Sequence, residues 1–285
     1  MPQVKIFADS TSDLPADWIV KYDIGIIPLY VVFEDATYRD GIDITPEGLY
    51  RKVDAGGVLP KTTAPSPADF IDIFRPYIER GETIVYISLS SKLSATYQNA
   101  LIAAEEFPRG RIHVIDSLNL CSGIGLLVMK AVRAAEQGKS AEEIAALIKQ
   151  IRPLVDTEFV IDTLEYLYKG GRCSGMQNFI GSLLKIRPIL KVIDGSIIPA
   201  YKVRGKKDKA VQKMLDNALA NREAMDQDLI IVAHTLAEEE AQQLAAVLRE
   251  QTGAREVAIS QAGCVISSHC GPHTVAIMYT KKSGV

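Results

Sequence analysis

The stretch Ile84-Val85-Tyr86-Ile87-Ser88-Leu89-Ser90-Ser91-Lys92-Leu93-Ser94-Ala95-Thr96-Tyr97 contains the elements that decide the fold class. Its apolar start at residues 84–87 predicts a buried strand, and the amphipathic residues 95–106 predict a helix. The loop between them is rich in hydroxyl groups. Because ligands of open α/β sheets bind outside the carboxyl ends of the strands, this loop is placed to contact a ligand.

The same order recurs through the first half of the chain. The predicted strands are residues 4–7, 24–30, 84–87 and 112–115. The predicted helices are residues 69–80, 95–106, 120–137 and 141–151. Strands that alternate with helices in this way indicate an α/β layered domain with a largely parallel sheet.

The second half of the chain begins after Arg152-Pro153, which indicates a break. We therefore predict an N-terminal α/β domain, residues 1–153, and a C-terminal α/β domain, residues 154–285. Asp194-Gly195 between two apolar runs predicts a hairpin of residues 187–193 and 196–201. The other predicted strands are residues 155–161, 229–233, 256–260 and 274–279, and the predicted helices are residues 162–168, 176–184, 206–222 and 238–251. We expect a mixed sheet in this second domain.

Composition argues against several classes of protein. The net charge of −3 gives no support for a nucleic-acid partner, and no apolar run approaches the roughly 18 to 20 residues of a transmembrane segment. Four cysteines without metal-ligand spacing indicate reduced thiols, and Gly271-Pro272 interrupts the His269/His273 pair, so we expect no metal site. Because the N-terminus shows no export signal, we expect a cytoplasmic protein.

The polar motifs favour binding over catalysis. Hydroxyl groups cluster in Asp9-Ser10-Thr11-Ser12-Asp13, in Lys61-Thr62-Thr63-Ala64-Pro65-Ser66 and in the loop that ends at Thr96. Hydroxyls and free N–H groups at helix starts favour anions, although helix capping alone accounts for some of these residues. Arg172, after the glycines that end a predicted helix at Gly170, is not explained by capping and is free to meet an anion or a partner's carboxylate. We therefore predict that the chain holds a small acid without transforming it.

Together these motifs resemble those of the DegV family, bacterial fatty-acid-binding proteins that include the acyl-carrying subunit of fatty acid kinase. The resemblance covers essentially the whole chain and depends on the order and spacing of its motifs. They are Phe7-Ala8-Asp9-Ser10-Thr11-Ser12-Asp13-Leu14, Lys61-Thr62-Thr63-Ala64-Pro65-Ser66, Leu93-Ser94-Ala95-Thr96-Tyr97-Gln98, Asp116-Ser117, Lys169-Gly170-Gly171-Arg172, Arg204 and Ser268-His269-Cys270-Gly271-Pro272.

The resemblance implies a two-domain α/β protein with a long-chain fatty acid in a buried tunnel near the domain interface. It assigns the fatty-acid carboxylate to Thr62 and Ser94, and the N–H group of Ala95 would add a third donor. It also implies that Thr63, Arg204 and His269 lie near the head group.

The resemblance further implies a carrier without catalytic residues or a cofactor of its own. An ATP-dependent fatty acid kinase subunit would supply nucleotide and metal, would dock at Arg172, and would form an acyl phosphate for phospholipid metabolism. The sequence departs from the family pattern at Thr63 and Ala64, where Ser-Gln is usual, and at Ala95 and His273, where glycine is usual. We expect a methyl group beside the carboxylate at Ala95, and a second titratable group near His269 at His273.

Two other classes of function remain open on sequence. An acyl-ester hydrolase would use Ser94 as nucleophile and His269 as base, and it requires those side chains within hydrogen-bond reach. A self-sufficient small-molecule kinase would need a phosphate loop or an acidic metal cluster. Four apolar residues could line a tunnel or belong to an ordinary core, so the length of the bound chain is not predicted: Met176, Phe179, Ile180 and Leu183.

Overall fold

The computed structural model describes residues 3–34, 36–173 and 186–282. The strands of these residues are β1 (Val4–Asp9), β2 (Gly25–Ile27), β3 (Tyr30–Val32), β4 (Thr37–Arg39), β5 (Lys61–Thr63), β6 (Thr83–Ser88), β7 (Ile112–Asp116), β8 (Val155–Val160), β9 (Ile186–Ile193), β10 (Ser196–Arg204), β11 (Met225–Thr235), β12 (Val257–Gln261) and β13 (Thr274–Lys281). Their α-helices are α1 (Ala16–Lys21), α2 (Pro46–Gly56), α3 (Pro67–Glu79), α4 (Thr96–Ala104), α5 (Ser122–Glu136), α6 (Ala141–Ile151), α7 (Glu165–Gly170), α8 (Lys207–Ala220), α9 (Glu238–Thr252) and α10 (Cys264–Cys270). The predicted helix 176–184, with the candidate tunnel residues Met176, Phe179, Ile180 and Leu183, lies outside the described residues.

The first sheet is fully parallel, with the strand order β2-β1-β6-β7. Both of its faces are covered, as the apolar runs of its strands require. Phe7 and Tyr86 point to one face, where they pack with Phe74 of α3. Ile6 and Val85 point to the other face, which α5 and α6 cover. The predicted α/β layering with a largely parallel sheet is confirmed.

The second sheet is mixed, with the strand order β10-β9-β8-β13-β11-β12. Strands β11 and β12 are parallel, and the other neighbours are antiparallel. Asp194 and Gly195 join β9 to β10 with φ angles of 49° and 81°, the left-handed values that a tight two-residue hairpin requires. Helices α8 and α9 pack on the outer face of this sheet. The predicted hairpin and the predicted mixed sheet are both confirmed.

Helix α5 lies between the two sheets and contacts β1 and β6 of one and β8, β11 and β13 of the other. It is therefore buried around most of its circumference, and glycines allow close packing. A Cβ atom on Gly123 would lie 2.1 Å from Asn119 Oδ1, and one on Gly125 would lie 3.1 Å from the carbonyl oxygen of Ser12. The protein therefore has five layers: α3 and α4, the parallel sheet, α5, the mixed sheet, and α8 and α9. The break predicted at Arg152 is a 3₁₀ turn between α6 and β8, and the division into domains there stays a prediction.

The prediction of one strand at residues 24–30 is wrong. The chain leaves the parallel sheet after β2 and forms β3 in a separate antiparallel sheet of order β4-β3-β5. Pro28 lies at the change of direction, and proline cannot donate a hydrogen bond to continue the strand. None of the described helices is long and apolar enough to cross a membrane.

Candidate functional site

A cavity of about 310 Å³ lies between residues of the first half of the chain and residues of the second half. Its lining combines an apolar wall with a cluster of polar groups. The apolar lining is Leu29, Ala64, Leu89, Leu93, Ala95, Leu120, Ile197, Val265, Ile266 and Cys270. The polar lining is Thr62, Thr63, Ser94, Asn99, Arg172 and His269. Both predicted domains therefore contribute to one cavity, as expected for a ligand site at their interface.

Thr62 reaches the cavity from the small antiparallel sheet that the sequence did not reveal. Strand β5 pairs with β3, with Thr62 opposite Val31. Thr62 Oγ1 lies 2.8 Å from Nε2 of His269, which is near the end of α10. This hydrogen bond joins the first half of the chain to the second at the polar part of the cavity.

Helix α10 is held in place by two buried aspartates of the first half. The N–H group of Gly263 donates to Asp13 Oδ1 at 2.8 Å, and the N–H group of Cys264 donates to Asp40 Oδ1 at 2.7 Å. Burial raises the pKa of both carboxyl groups. These contacts hold the first residues of α10 in place. They therefore also fix the position of His269, which lies five residues after Cys264 on the same helix.

Burial lowers the pKa of His269 to about 4, and the positive charge of Arg172 acts in the same direction. The imidazole is therefore neutral at pH 7. Its Nδ1 atom is buried and has no hydrogen-bond partner among the residues described. A neutral imidazole can orient a hydroxyl group through a hydrogen bond, and it adds no charge to the polar part of the cavity.

Ser94 and Ala95 lie at the start of α4, where backbone N–H groups lack helical partners. Ser94 Oγ lies 2.8 Å from Oγ1 of Thr96, whose own N–H group also donates to Ser94 at 3.3 Å. One turn later on the same helix, Asn99 donates from Nδ2 to the carbonyl of Pro65 at 2.8 Å. That bond joins α4 to the loop after Thr62. Sequence analysis missed Asn99, although its position four residues after Ala95 places it on the same helical face.

The Asp9 motif supports the cavity wall without lining the cavity. The Asp9 carboxyl group is fully buried and accepts hydrogen bonds from the Tyr86 hydroxyl at 3.0 Å and from the N–H group of Leu89 at 2.7 Å. It also accepts a short hydrogen bond from the Thr11 hydroxyl. Burial raises its pKa, and these donors oppose that shift. The motif therefore ties the end of β1 to Leu89 on the wall.

Arg172 and Arg204 lie in different places. Arg172 lines the cavity, and its Nη1 donates to the carbonyl of Gly170 at 2.6 Å. Arg204 is exposed at the end of β10, seven residues beyond Ile197, which is roughly 20 Å along a strand. The predicted residues that line the cavity together are Thr62, Thr63, Ser94, Ala95, Arg172 and His269; Arg204, predicted near the head group, is not among the lining residues.

The expectation for His273 needs correction. His273 is exposed with a φ angle of 58°, and its Nδ1 lies 3.1 Å from the carbonyl oxygen of Leu236. It lines a separate surface cleft together with Glu238 and Asp162, and it does not line the cavity of His269. The left-handed turn after Gly271 directs the chain into β13, and this carries the imidazole away from α10. The cavity therefore gains no second titratable histidine from this departure.

The geometry does not form a hydrolytic pair. Ser94 Oγ bonds to Thr96, and His269 Nε2 bonds to Thr62, so no hydrogen bond joins the expected nucleophile and base. No carboxylate of the described residues bonds to His269 to orient it as a base. Within the same residues, no three His, Cys, Asp or Glu side chains lie close enough together to hold a metal ion.

Comparison with known proteins identifies the family to which the chain is similar. A family model described as "Uncharacterised protein, DegV family" matches residues 3–282. A DegV domain-containing protein of Caldanaerobacter subterraneus is 37% identical over 282 residues, with 99% of this chain and all of that protein covered. The "Fatty acid-binding protein" of Thermotoga maritima is 36% identical over 279 residues, with 96% of each chain covered.

A solved structure of a DegV family protein has a fold similar to that of this chain. The structure described as "Fatty Acid Binding of a DegV family Protein from Thermus thermophilus" superposes with a TM-score of 0.92. It is 34% identical in sequence, and the match covers 98% of this chain and all of that one. The shared fold extends through both sheets. The chain therefore belongs to the DegV family.

Proposed function

We propose that this protein binds a long-chain fatty acid in the cavity, with the carboxylate against Thr62, Ser94 and Ala95. The observation that carries the proposal is the Thr62–His269 hydrogen bond at the polar part of a cavity with otherwise apolar walls. The relatives described as fatty-acid-binding proteins support the same ligand class.

His269 acts on the ligand through Thr62. A buried N–H group without a partner is costly, and the Nδ1 atom of the neutral ring is buried without a hydrogen-bond partner among the described residues. We therefore assign the proton to Nε2, which donates to Thr62 Oγ1. The Thr62 hydroxyl hydrogen is then available to the fatty-acid carboxylate.

The start of α4 supplies the other donors. If Thr96 donates to Ser94 Oγ, the Ser94 hydroxyl hydrogen is also available to the carboxylate. The N–H group of Ala95 lies at the positive end of the same helix. Each hydrogen bond to an ionised group contributes about 1.5 to 3 kcal/mol, so these donors together can hold a carboxylate. Arg172, on the cavity lining, adds a positive charge at the same end.

The apolar wall contributes most of the retention. Removal of a methylene group from water is worth about 0.8 kcal/mol, so a C16 chain gains on the order of 12 kcal/mol before the costs of association. The free energy gained from burying the chain depends on its length, whereas the hydrogen bonds from the hydroxyl donors to the carboxylate do not. The site therefore selects an acid by its head group and retains it by its chain.

In the fuller form of the proposal, an ATP-dependent fatty acid kinase subunit docks over the head group and forms an acyl phosphate. A second, outer cleft of about 580 Å³ shares Thr62, Arg172 and His269 with the cavity, and Lys61 and Lys169 also line it. These cations suit an acidic partner surface. The protein would act in the cytoplasm as a carrier for phospholipid metabolism, with the partner supplying nucleotide and metal.

Native mass spectrometry of the purified protein tests the ligand. We expect an added mass in the range of a C14–C18 monocarboxylic acid, which is lost on denaturation and is identified by lipid analysis. Thr62→Val, purified in parallel, should carry less of it. A protein that is ligand-free after expression and also fails to bind added palmitate or oleate would contradict the proposal.

A further inference from the structure

The backbone of Gly170 lies directly against the ring of His269. A Cβ atom built on Gly170 would lie 2.3 Å from His269 Nδ1 and 3.2 Å from Cε1. Real Cβ atoms essentially never approach another atom to within 3.0 Å. The ring therefore occupies space that any other residue at position 170 would fill.

The backbone conformation does not explain this glycine. Gly170 is the last residue of α7, and its φ angle is not among the positive values. The residue in the left-handed conformation at the end of α7 is Gly171, with a φ angle of 66°, one residue after the predicted helix end at Gly170. Alanine at position 170 would favour the helix, because alanine has a higher helix propensity than glycine. The close approach to His269 is the feature that a side chain at position 170 would disturb.

The opposite side of the ring is fixed by Thr62. His269 lies between the Thr62 hydroxyl at 2.8 Å and the backbone of Gly170, so a displacement away from Gly170 alters the hydrogen bond to Thr62. A second close contact holds the two helices together, because a Cβ atom on Gly271 would lie 2.9 Å from the ring of Tyr166. Helix α7 is therefore set against α10 at a fixed distance.

We propose that Gly170 is a positioning residue, which sets the imidazole of His269 against Thr62 at the polar end of the cavity. Its carbonyl also holds Arg172 on the same lining. Alanine retains that carbonyl, so Gly170→Ala perturbs the ring specifically. The placement of the ring stands on the geometry alone, and its consequence for ligand binding rests on the proposed function.

The first test follows the His269 ring in ligand-free protein by NMR. The chain has four histidines, and the signal of His269 is identified by its loss in His269→Gln. In the wild type the ring should titrate near pH 4. In Gly170→Ala we expect the midpoint to rise by at least one pH unit, because the displaced ring gains contact with water. An unchanged midpoint in a folded variant would overturn the proposal.

Gly56→Ala is the matched control. Gly56 also ends a helix, α2, and a Cβ atom there would meet no heavy atom within 4 Å. It should leave the His269 titration unchanged. A rise of the same size in Gly56→Ala would show that the titration responds to helix changes in general, which would also overturn the assignment to Gly170.

A double-mutant cycle tests whether Gly170 acts on the ligand through His269. We expect Gly170→Ala to weaken palmitate binding about tenfold in the wild type and less than twofold in a His269→Gln background. A full tenfold loss in that background overturns the proposal. If the wild type binds no fatty acid, the proposed function fails, whereas the NMR titration still decides the role of Gly170.

Discussion

Two oxygen-rich loops of the first half, at Asp9 and at Ser94, look alike in sequence and differ in what their oxygens contact. The Asp9 carboxylate accepts from Tyr86, Leu89 and Thr11, so its hydrogen-bonding capacity is used inside the protein. Ser94 bonds to Thr96 and still lines the cavity. The first loop supports the cavity wall, and the second lines the cavity, where we propose that Ser94 donates to the ligand. Two loops of similar composition therefore differ in role, because the Asp9 carboxylate is engaged inside the protein whereas Ser94 remains at the cavity.

The largest effect that separates the two loops is on stability. Asp9→Ala leaves the buried Leu89 N–H group and the Tyr86 hydroxyl without their acceptor, so we expect a loss of about 3 kcal/mol or more in the free energy of unfolding. Urea denaturation measures it. Asp72→Ala, an exposed aspartate on α3, is the control and should change stability much less. Equal stability of Asp9→Ala and wild type would mean that the Asp9 loop is not a structural support.

The next effect concerns pH and the neutral state of His269. Its pKa is about 4 in the folded protein and about 6.5 in the unfolded chain, so the unfolded chain binds more protons between those values. The contribution of His269 to stability is therefore complete above about pH 6.5 and is lost as the pH falls toward 4.

We expect the stability difference between wild type and His269→Gln to shrink by about 2 kcal/mol from pH 7 to pH 5. Other titrating groups are present in both proteins and cancel in the difference. Denaturant unfolding at the two pH values provides the measurement. A difference that stays constant with pH would show that the imidazole is not buried as the structure has it.

The Ser94 loop should show the reverse of the Asp9 loop, with a loss of binding and little loss of stability. Thr62→Val and Ser94→Ala each remove one hydrogen bond to an ionised group, so we expect affinity for palmitate to fall about tenfold. The melting temperature of ligand-free Ser94→Ala should remain close to that of the wild type, whereas Thr62→Val also removes the hydrogen-bond partner of His269 Nε2 and should lower it. Thr37→Val, on the exposed strand β4, is the control. Unchanged affinity in both cavity variants would mean that the carboxylate binds elsewhere.

The smallest effect compares the two arginines. Arg172 lines the cavity, so we expect Arg172→Ala to weaken fatty-acid binding several-fold and to reduce acyl-phosphate formation with a partner kinase. Arg204 is exposed and remote from the cavity lining, so Arg204→Ala should leave affinity within twofold of the wild type. Isothermal titration of both variants with palmitate decides between them. Equal losses of affinity would contradict the separation of Arg204 from the head group.

The sequence predicted the parts of the fold whose signal is long or chemically specific. The apolar runs of β1, β6 and β7 and the Asp194-Gly195 turn were sufficient for the parallel sheet and the hairpin. The sheet of β3, β4 and β5 was missed because strands of three residues are too short for a periodic pattern. Helix α10 was missed for a similar reason, since it has seven residues between Gly263 and Gly271.

The site residues were predicted from sequence motifs. Motifs give the order of residues along the chain, but they do not give the distances between those residues in the folded protein. Thr62, Ser94 and Ala95, which the motifs group together, line one cavity, while their contact with a carboxylate stays a prediction. Arg204 was grouped with them because its motif accompanies theirs, although the length of β10 carries it away. The contact of Gly170 with His269 joins residues almost a hundred positions apart, which no local pattern can indicate.

The position of α5 makes the two halves of this protein mechanically interdependent. One hydrophobic core runs from Ile6 and Val85, through Leu127 of the helix, to Phe159 and Met278 of the second sheet. Separation of the halves would expose buried apolar residues of α5 to water, because this helix contacts both sheets. The cavity lies beside this shared core, which includes the lining residues Leu89, Leu120 and Val265. Because residues of both halves line the cavity, its shape depends on how the two sheets pack on this helix.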